Sequence, residues 1–486
     1  MRSYTVSLPT KVAMAAAMTV WCASPLLSQR GLPERQRAKK SLSVRLAAVL
    51  GRAEKLGVHC GARVVDLKSK AELYSYHDRR PLRPASNMKI LTAIHALETL
   101  GPEYRFQTRF QLVGKPAVLV VVSGGDPSFT SEIEGGLSVF TNLAESLRKA
   151  GRTSFPGGYV LEAPAWTGPA RPPSWPKRHF WRRYGAATGA FALEEGCLAL
   201  RLNPEGRLRG ACGVEFLPSC LDLAVKGSIQ LTGDPKNGAL YHIGWGAGGT
   251  VKLSGHYYSG GRARIVRIPA PDPDALFAEA LRCSLDSRGI ELGPRRGAAP
   301  EGERDLLYLH RTPLKPVIER MLVDSSNFQA EMLLRQCAAK LGLAASFETG
   351  VQQLRRRFAV EGVAAQELEI HDGSGLADKN RLSAAVIASV LCYAARAKFG
   401  RLFVGSLPQS SISGTLKRRL GGDLRGAVRA KTGYIAGTSA LSGYVRTRSG
   451  KTCVFAILMN WSKKGVSNRE LKRVQDSFVS EIFEHF

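Results

Sequence analysis

The most regular apolar pattern in the chain lies between Ser86 and Leu100. Apolar residues recur there at the spacing of one face of an α-helix, namely at Met88, Leu91, Ile94, Leu97 and Leu100. Pro84 fixes the backbone just before this run, and Gly101 follows it as a C-terminal cap. The pattern predicts a helix over 86–100 with Ser86 near its N-terminus.

Short or alternating apolar runs predict strands on both sides of this helix and again towards the C-terminus. The expected strands are 61–67, 72–76, 106–113, 117–123, 428–432, 439–446 and 452–461. Helical spacing recurs over 42–56, 316–322, 328–341, 347–360, 383–396 and 468–486. Strands at both ends with helices between them indicate an α/β (α+β) domain that is split in sequence.

The middle of the chain, from about 127 to 303, has a different character. Glycine and proline are frequent there, and the apolar runs are short, at 158–162, 197–202, 227–231 and 263–268. A single helical segment stands out, at 274–288. We expect a separate, strand-rich region without a cluster of residues suited to catalysis.

The charge is strongly basic, with 69 Lys and Arg against 40 Asp and Glu, a formal net charge of +29. Such a balance favours association with an anionic membrane surface or wall polymer. No nucleic-acid-binding motif is present, and the basic residues are scattered, apart from denser patches at 30–40 and 177–183. We therefore expect a solvated basic surface and no nucleic-acid partner.

The N-terminus has the pattern of an export signal. Arg2 and Lys11 precede an apolar run over 12–27 that is too short and too interrupted for a membrane span. Residues 1–28 are predicted to be a signal peptide, with an uncleaved anchor as the alternative. Either one places the bulk of the chain in the periplasm or cell envelope.

The nine cysteines allow disulfides in such an oxidising compartment. Cys212 and Cys220 are the favoured pair because they lie close together in a loop-like segment. Buried free thiols are expected where the neighbours are apolar, at Cys337, Cys392 and Cys453. Neither the cysteines nor the histidines have metal-ligand spacing, so we expect no metal and no cofactor.

Ser86 and Lys89 are the first candidates for chemistry. A serine hydroxyl is a weak nucleophile that needs an adjacent base. Lys89 lies one helical turn after Ser86, and a lysine loses its proton more easily when it is desolvated and near another cation. Alone, the pair is better explained as a helix cap followed by a solvated lysine.

A second polar motif, Ser325-Ser326-Asn327, stands just before a predicted helix. By itself it is explained by helix capping. Beside a nucleophile and its base, Ser325 can relay a proton to a leaving amine. Asn327 can hydrogen-bond both Lys89 and a substrate amide.

A third motif, Lys431-Thr432-Gly433, lies at the end of a predicted strand and is followed by Tyr434. Lys431 supplies positive charge for a substrate carboxylate and helps to keep the catalytic base neutral. The backbone amides of Ser86 and Tyr434 can form an oxyanion hole. We therefore expect Asn327 and 431–434 to bind substrate.

The three motifs in this order are the set found in serine β-lactamases and penicillin-binding proteins. The chain resembles the D-alanyl-D-alanine carboxypeptidase/endopeptidases, the class C low-molecular-mass penicillin-binding proteins. The resemblance covers about 58–130 and 305–462 and rests on the stretches 84–89, 100–101, 105–106, 124–127, 372–376, 413–416, 430–433 and 439–444.

The resemblance implies a penicillin-binding transpeptidase-like fold and explains the long gap between Ser86 and Ser325. An insert of two small strand-rich domains is expected over 109–305, dividing the catalytic domain into 41–108 and 306–486. The implied enzyme is a serine hydrolase that acts on peptidoglycan stem peptides through an acyl-enzyme and is inhibited by β-lactams.

Two positions depart from the family pattern. Ser326 stands where the family usually has Asp, and Tyr434 stands where it usually has Thr or Ser, which bears on recognition of the substrate's terminal carboxylate. Two alternatives remain open: a β-lactamase or esterase with the same catalytic set, and a non-catalytic protein that binds the cell wall. Preference for terminal D-alanine or for cross-links stays undecided.

Overall fold

The computed structural model describes residues 34–208, 210–236, 240–359, 363–463 and 465–485. The helices are α1 (Glu34–Glu54), α2 (Met88–Thr99), α3 (Ser138–Lys149), α4 (Pro273–Asp286), α5 (Leu314–Val323), α6 (Asn327–Lys340), α7 (Phe347–Phe358), α8 (Ala384–Ala394), α9 (Gly400–Gly405) and α10 (Asn468–His485).

The strands fall into two groups, one near the chain ends and one in the middle of the chain. They are β1 (His59–Asp66), β2 (Glu72–Tyr76), β3 (Arg105–Val113), β4 (Val118–Val122), β5 (Ser154–Phe155), β6 (Tyr159–Glu162), β7 (Cys197–Leu208), β8 (Ala211–Leu217), β9 (Val225–Gly227), β10 (Gln230–Thr232), β11 (Tyr241–Trp245), β12 (Val251–Tyr258), β13 (Arg264–Pro269), β14 (Glu291–Leu292), β15 (Asp305–Pro313), β16 (Leu368–Glu369), β17 (Arg381–Leu382), β18 (Val428–Ile435), β19 (Thr438–Arg446) and β20 (Thr452–Asn460).

A five-stranded antiparallel sheet, in the order β18–β19–β20–β1–β2, combines strands from both ends of the chain. Strands β1 and β20 pair along their whole length, with His59 opposite Asn460. Side chains alternate between the two faces of a strand, so β20 contributes to two cores. Ala456 packs with helices α2 and α5–α8, whereas Phe455 and Ile457 pack with α1 and α10.

The predicted strands at the two ends of the chain are confirmed within one to three residues. Helix α1 begins at Glu34, eight residues before the predicted start. The prediction began too late because the first two turns of the helix are polar and have no periodic apolar residues. The predicted signal peptide or anchor, residues 1–28, lies outside the described residues. Among the described helices, none combines the length and the hydropathy that a membrane span requires.

The middle of the chain forms two larger sheets. One has the order β15–β3–β4–β6, and the other has β11–β12–β10–β8–β7–β13 with β9 added beside β12. Helices α3 and α4 pack against each other over this region. The prediction of a single helix there is wrong, since α3 is a second one. Its buried apolar residues recur at helical spacing: Val139, Phe140, Leu143, Ala144 and Leu147.

The predicted disulfide is also wrong. Cys220 bonds to Cys283, across 63 positions of the chain, and Cys212 is a buried free thiol. Closeness in sequence was a poor guide to this pairing. Cys283 lies on helix α4, and the fold places this helix beside the strand region that contains Cys220. The expected buried free thiols are confirmed at Cys337, Cys392 and Cys453.

Candidate active site

Ser86 lies in a tight 3-10 turn, Ala85–Asn87, that leads directly into helix α2. Ala85 has a φ of 45°, an uncommon value for a residue with a side chain. A Cβ atom on Gly375 would lie 1.9 Å from the carbonyl oxygen of Ala85, so only glycine fits beside the turn. This packing holds the hydroxyl-bearing turn in one position.

Lys89, one turn along α2, is fully buried. Its Nζ lies 3.1 Å from Ser86 Oγ, 2.6 Å from Asn327 Oδ1 and 2.8 Å from the carbonyl oxygen of Ser374. A neutral amine has two N–H groups and one lone pair. Two carbonyl acceptors therefore take the two N–H groups, which leaves the lone pair for the Ser86 hydroxyl.

Burial is the main reason why the pKa of Lys89 falls from 10.5 to about 7. The negative charges of Asp372 and Glu331 oppose this effect and raise the pKa. Desolvation destabilises the ammonium form more strongly than these carboxylates stabilise it. A substantial fraction of Lys89 is therefore neutral near pH 7 and able to accept a proton.

Lys431, on strand β18, is the second fully buried lysine of the site. Its Nζ donates to Ser325 Oγ at 2.9 Å and to the carbonyl oxygen of Thr432 at 3.0 Å. Burial, followed by the nearby charge of Lys89, holds the pKa of Lys431 well below its usual value. Ser325 adopts a φ of 61°, a strained backbone conformation from which its side chain reaches Lys431.

Asn327 begins helix α6 and joins the catalytic turn to the middle region of the chain. Its Oδ1 accepts from Lys89, and its Nδ2 donates to the carbonyl oxygen of Tyr184 at 2.9 Å. Ser326 caps the same helix by accepting from Gln329 N, and it donates to Glu195 Oε1 at 3.2 Å. The Ser326 side chain is thus occupied away from Lys89.

Thr432, Gly433 and Tyr434 lie along one wall of the cleft that contains Ser86. Thr432 Oγ1 donates to Thr415 Oγ1 at 2.8 Å. A Cβ atom on Gly433 would lie 2.8 Å from the carbonyl oxygen of Pro84, so the glycine permits strand β18 to approach the catalytic turn. The Tyr434 side chain is 58% exposed at the surface of the cleft.

Two cavities meet at Ser86, Ser325 and Tyr434. One, of about 320 Å³, follows strand β18. The other, of about 490 Å³, is closed on its far side by residues from the middle of the chain, among them Arg178 and Tyr184. A peptide lying across the nucleophile would occupy both cavities, one on each side of the bond to be cut.

The sequence did not single out Glu331, a fully buried carboxylate one turn after Asn327 on α6. Glu331 accepts backbone N–H groups from Gly373 at 3.1 Å and Ser374 at 2.8 Å. Burial, with a contribution from Asp372, raises its pKa to about 8. Its i, i+4 spacing from Asn327 was the signal available in the sequence, because such residues share a helix face.

Asp372 holds together the turn whose Gly373 and Ser374 amides donate to Glu331. Its carboxylate accepts from Trp175 Nε1 at 2.9 Å and from Gly375 N at 2.8 Å. It also accepts from Ala377 N and from the Asn380 side chain, each at 2.7 Å. These bonds fix the loop whose Ser374 carbonyl contacts Lys89.

A buried ionic cluster lies beside Ser325-Ser326-Asn327. Glu195 Oε1 accepts from Arg320 Nε at 2.9 Å, and Glu195 Oε2 accepts from Arg183 at 3.0 Å. Burial by itself would raise the pKa of Glu195, but Arg320 and Arg183 hold it below its usual value. Within the described ranges, no group of three or more His, Cys, Asp or Glu side chains is arranged to hold a metal ion.

Comparison with known proteins decides the family. The model of the D-Ala-D-Ala carboxypeptidase 3 (S13) family matches residues 42–481. The chain belongs to this family. Membership confirms the expected enzyme class, a serine-type D-Ala-D-Ala carboxypeptidase, and the resemblance on which that expectation rested.

Individual relatives agree with the family assignment. Carboxypeptidase DacB of Mycolicibacterium smegmatis is 27% identical over 437 residues, which are 87% of this chain and 80% of that protein. The D-alanyl-D-alanine carboxypeptidase of Actinomadura sp. strain R39 is 26% identical over 505 residues, covering 96% of this chain and 88% of the relative.

A solved structure confirms the fold of this S13-family carboxypeptidase. Penicillin binding protein 4 (dacB) from Haemophilus influenzae matches with a TM-score of 0.75 at 21% sequence identity. The match covers 90% of this chain and 99% of that protein. The expected transpeptidase-like α/β fold with a strand-rich insert is therefore confirmed.

Proposed function

We propose that this carboxypeptidase is an exported enzyme that removes terminal D-alanine from peptidoglycan stem peptides through an acyl-enzyme on Ser86. The observation that carries the proposal is the set of contacts made by Lys89. A buried lysine with a pKa of about 7 has both of its neutral N–H groups taken by carbonyl oxygens, beside a serine hydroxyl.

In the first step, Ser86 Oγ bonds to the acyl carbon of the penultimate D-alanine while its proton passes to Lys89 Nζ. The amides of Ser86 and Tyr434 stabilise the developing oxyanion, a contribution whose loss typically costs about 10²–10³-fold in rate. Strand β18 runs beside the Ser86 turn, as this arrangement requires.

In the second step, the peptide C–N bond breaks and the terminal D-alanine leaves as an amine. Ser325, which accepts a hydrogen bond from Lys431, passes its hydroxyl proton to that amine and receives in return the proton that Lys89 took from Ser86, so Lys89 is neutral again. Lys431 with Thr432 and Gly433 holds the substrate's terminal carboxylate, and Asn327 holds its amide. A water molecule then attacks the ester and gives a proton to neutral Lys89, which returns it to Ser86 Oγ as the bond from the acyl carbon to Oγ breaks and the shortened peptide is released.

Penicillin has a strained amide in place of the scissile bond, so it would acylate Ser86 in the same way. We propose β-lactams as inhibitors of this chain, and the relative named penicillin binding protein 4 supports this assignment. Cleavage of cross-links between stem peptides uses the same chemistry and is proposed as a second activity of the same site.

We further propose the domain division 41–108 and 306–486 for the catalytic part and 109–305 for the insert. It is supported by the central sheet, which unites β1 and β2 with β18–β20. The boundaries fall within strands β3 and β15, which pair with each other from Arg105 opposite Pro313 to Leu112 opposite Asp305. The connections into and out of the insert therefore run side by side.

The proposed function is tested by intact-mass spectrometry after mixing with penicillin, together with D-alanine release from a soluble D-alanyl-D-alanine peptide. We expect one covalent adduct and steady release of D-alanine. Ser86→Ala should lose both, whereas Ser449→Ala, in an exposed turn after β19, should keep both. An adduct that persists in Ser86→Ala would place the nucleophile elsewhere.

A further inference from the structure

The segment from Lys177 to Gly185 presents a large aromatic side chain to solvent. Trp181 is 84% exposed, the highest value among the large exposed hydrophobic side chains in the described part of the chain. Soluble proteins seldom leave a whole indole ring in water, and an exposed ring is typical of a surface that binds something. The chemistry proposed for Ser86 does not use it.

Trp181 is held on a rigid support. Three backbone hydrogen bonds close successive turns around it: Phe180 N to Lys177 O, Arg182 N to His179 O, and Gly185 N to Arg182 O, at 3.1, 3.0 and 2.8 Å. Arg171 stacks on the Phe180 ring at 4.9 Å. Because the turns are already formed, little conformational entropy is lost when a ligand contacts the ring.

The same segment lines the cleft that contains Ser86. Arg178, His179 and Tyr184 contribute to the cavity of about 490 Å³ that reaches Ser86 and Ser325. Arg178 donates to Asp378 at 2.8 Å, and Tyr184 shares a hydrogen bond of 3.1 Å with His179. Trp181 therefore lies in sequence between His179 and Tyr184, two residues that line the active-site cleft.

The charge on this segment is positive and partly uncompensated. Arg178 is paired with Asp378, and Arg183 with Glu195. Lys177 and Arg182 are exposed and have no ion pair within the part of the chain that the structure describes. Burial and the charge of Arg178 lower the pKa of His179, so its ring adds no charge at pH 7.

We propose that Trp181, with Lys177 and Arg182, binds the wall polymer that carries the stem peptides, with the indole on a sugar ring of its glycan and the two cations on carboxylates of neighbouring stem peptides. The inference rests on the proposed function. The C–H face of a sugar ring is apolar and packs on the electron-rich face of an indole, and two free cations beside it attract carboxylates. Binding the polymer here holds its peptide branch next to Ser86.

A glycan is favoured over a lipid surface for two reasons. The first is that the segment 177–185 lines the cleft that contains Ser86, where the polymer that carries the substrate must lie. The exposed rings of the segment are Trp181 and Tyr184, whose hydroxyl is hydrogen-bonded to His179, and these two rings offer little area to bury in a membrane. Trp and Arg are also the residues that most often dominate binding surfaces.

The test compares Trp181→Ala with wild type on two substrates, a soluble D-alanyl-D-alanine peptide and insoluble wall polymer. We expect kcat/KM on the soluble peptide to be unchanged and kcat/KM on the polymer to fall by about tenfold, the effect of losing one aromatic contact. Trp181→Phe should recover most of the loss. Leu240→Ala, a 65% exposed control that lines no cavity near Ser86, should match wild type.

The charge contribution is tested with the pair Lys177→Ser and Arg182→Ser. Retention on the polymer should weaken and become less sensitive to salt, because the removed charges are screened at high ionic strength. Lys340→Ser with Arg356→Ser removes the same charge from exposed helix positions and should leave retention unchanged.

Equal polymer activity in Trp181→Ala and wild type would overturn the inference. Loss of binding to phosphatidylglycerol vesicles, with polymer activity intact, would also overturn it and assign the segment 177–185 to a membrane surface. Failure of wild type to release D-alanine from the soluble peptide would instead refute the proposed function, and retention of the intact protein on the polymer would still report on Trp181.

Discussion

At the scale of single residues, the site depends on two buried lysines, and keeping both of them positively charged would cost a large desolvation free energy. Lys89 and Lys431 are each fully buried, and each is tied to a different serine. Burial disfavours the ammonium form of both side chains. The arrangement places one amine beside each serine, Lys89 beside Ser86 and Lys431 beside Ser325.

Lys89→Ala and Ser325→Ala should each lose acylation while the protein remains folded. Proton transfer by a positioned group contributes roughly 10²–10⁴-fold, so the acylation rate should fall by that range. The rate is measured by quenched intact-mass spectrometry with penicillin, and folding by circular dichroism. Lys340→Ala, at an exposed position on α6, is the control. Wild-type acylation in either variant would remove that residue from the mechanism.

The acylation rate should rise with pH through about 7, because Lys89 accepts the serine proton only after losing its own. Because the pKa of Glu331 is about 8, only a fraction of this group is negatively charged near pH 7. Glu331→Gln abolishes that fraction, whose charge raises the Lys89 pKa, so the rise should move slightly to lower pH. Glutamine keeps one carbonyl oxygen, which can still accept from Gly373 and Ser374 as Glu331 Oε1 does. A pH profile of kcat/KM decides the point, and an unmoved profile would contradict it.

Tyr434→Thr should speed release of terminal D-alanine by roughly ten- to hundredfold. A threonine hydroxyl can donate to the terminal carboxylate, a bond worth about 1.5–3 kcal/mol, whereas the Tyr434 hydroxyl lies at the end of a long, 58% exposed ring. Penicillin acylation should change little, because the backbone amide is kept. The measurement is kcat/KM on a D-alanyl-D-alanine peptide; no gain would make the tyrosine a tolerated substitution.

At the scale of elements, the site is an assembly of α2, α6, strand β18 and the turn around Gly375. The closest approach between these elements is that of Gly375 to the carbonyl oxygen of Ala85. Gly375→Ala would place a methyl group 1.9 Å from the Ala85 carbonyl and force the serine turn to move. We expect lower stability together with slower penicillin acylation.

Gly450→Ala is the matched control for this element. Gly450 has a φ of 84°, close to the 86° of Gly375, but nothing lies within 4 Å of an added Cβ. It should lose only about 1–2 kcal/mol of unfolding free energy, the cost of the left-handed conformation, with acylation unchanged. Equal acylation rates in the two variants would show that the turn tolerates displacement.

Sequence patterns predicted the elements well where apolar residues recur at helical spacing, as in α2, or form a continuous run, as in β20. The motif residues Ser86 and Lys89 could be paired from sequence because one helical turn separates them. Contacts across long distances could not be derived in this way. The bond from Asn327 to Tyr184 and the Cys220–Cys283 disulfide depend on how the insert folds back, which local spacing does not encode.

At the scale of the whole molecule, the ionic cluster around Glu195 joins the middle of the chain to the catalytic helices. Glu195→Ala removes the most buried carboxylate partner of Arg320, which keeps Asp324 at 2.8 Å and Glu132 at 3.4 Å. The loss should therefore lie between the roughly 1 kcal/mol of a surface pair and the about 3–5 kcal/mol of a buried charge left unpaired. Chemical denaturation should show this loss. Glu215→Ala breaks a half-exposed pair with Arg201 and should cost less than about 1 kcal/mol. Similar losses in both variants would contradict a structural role for the cluster.

The pairing of His59 with Asn460 also governs when the chain can fold. During synthesis, β1 and β2 emerge first and have to wait for β20 before the central sheet can close. Contacts so distant along the chain form slowly, since the intervening loop must be ordered first. The central sheet can therefore close only after almost all of the chain has been made, a property that suits the proposed export, in which a chain threads through a narrow channel.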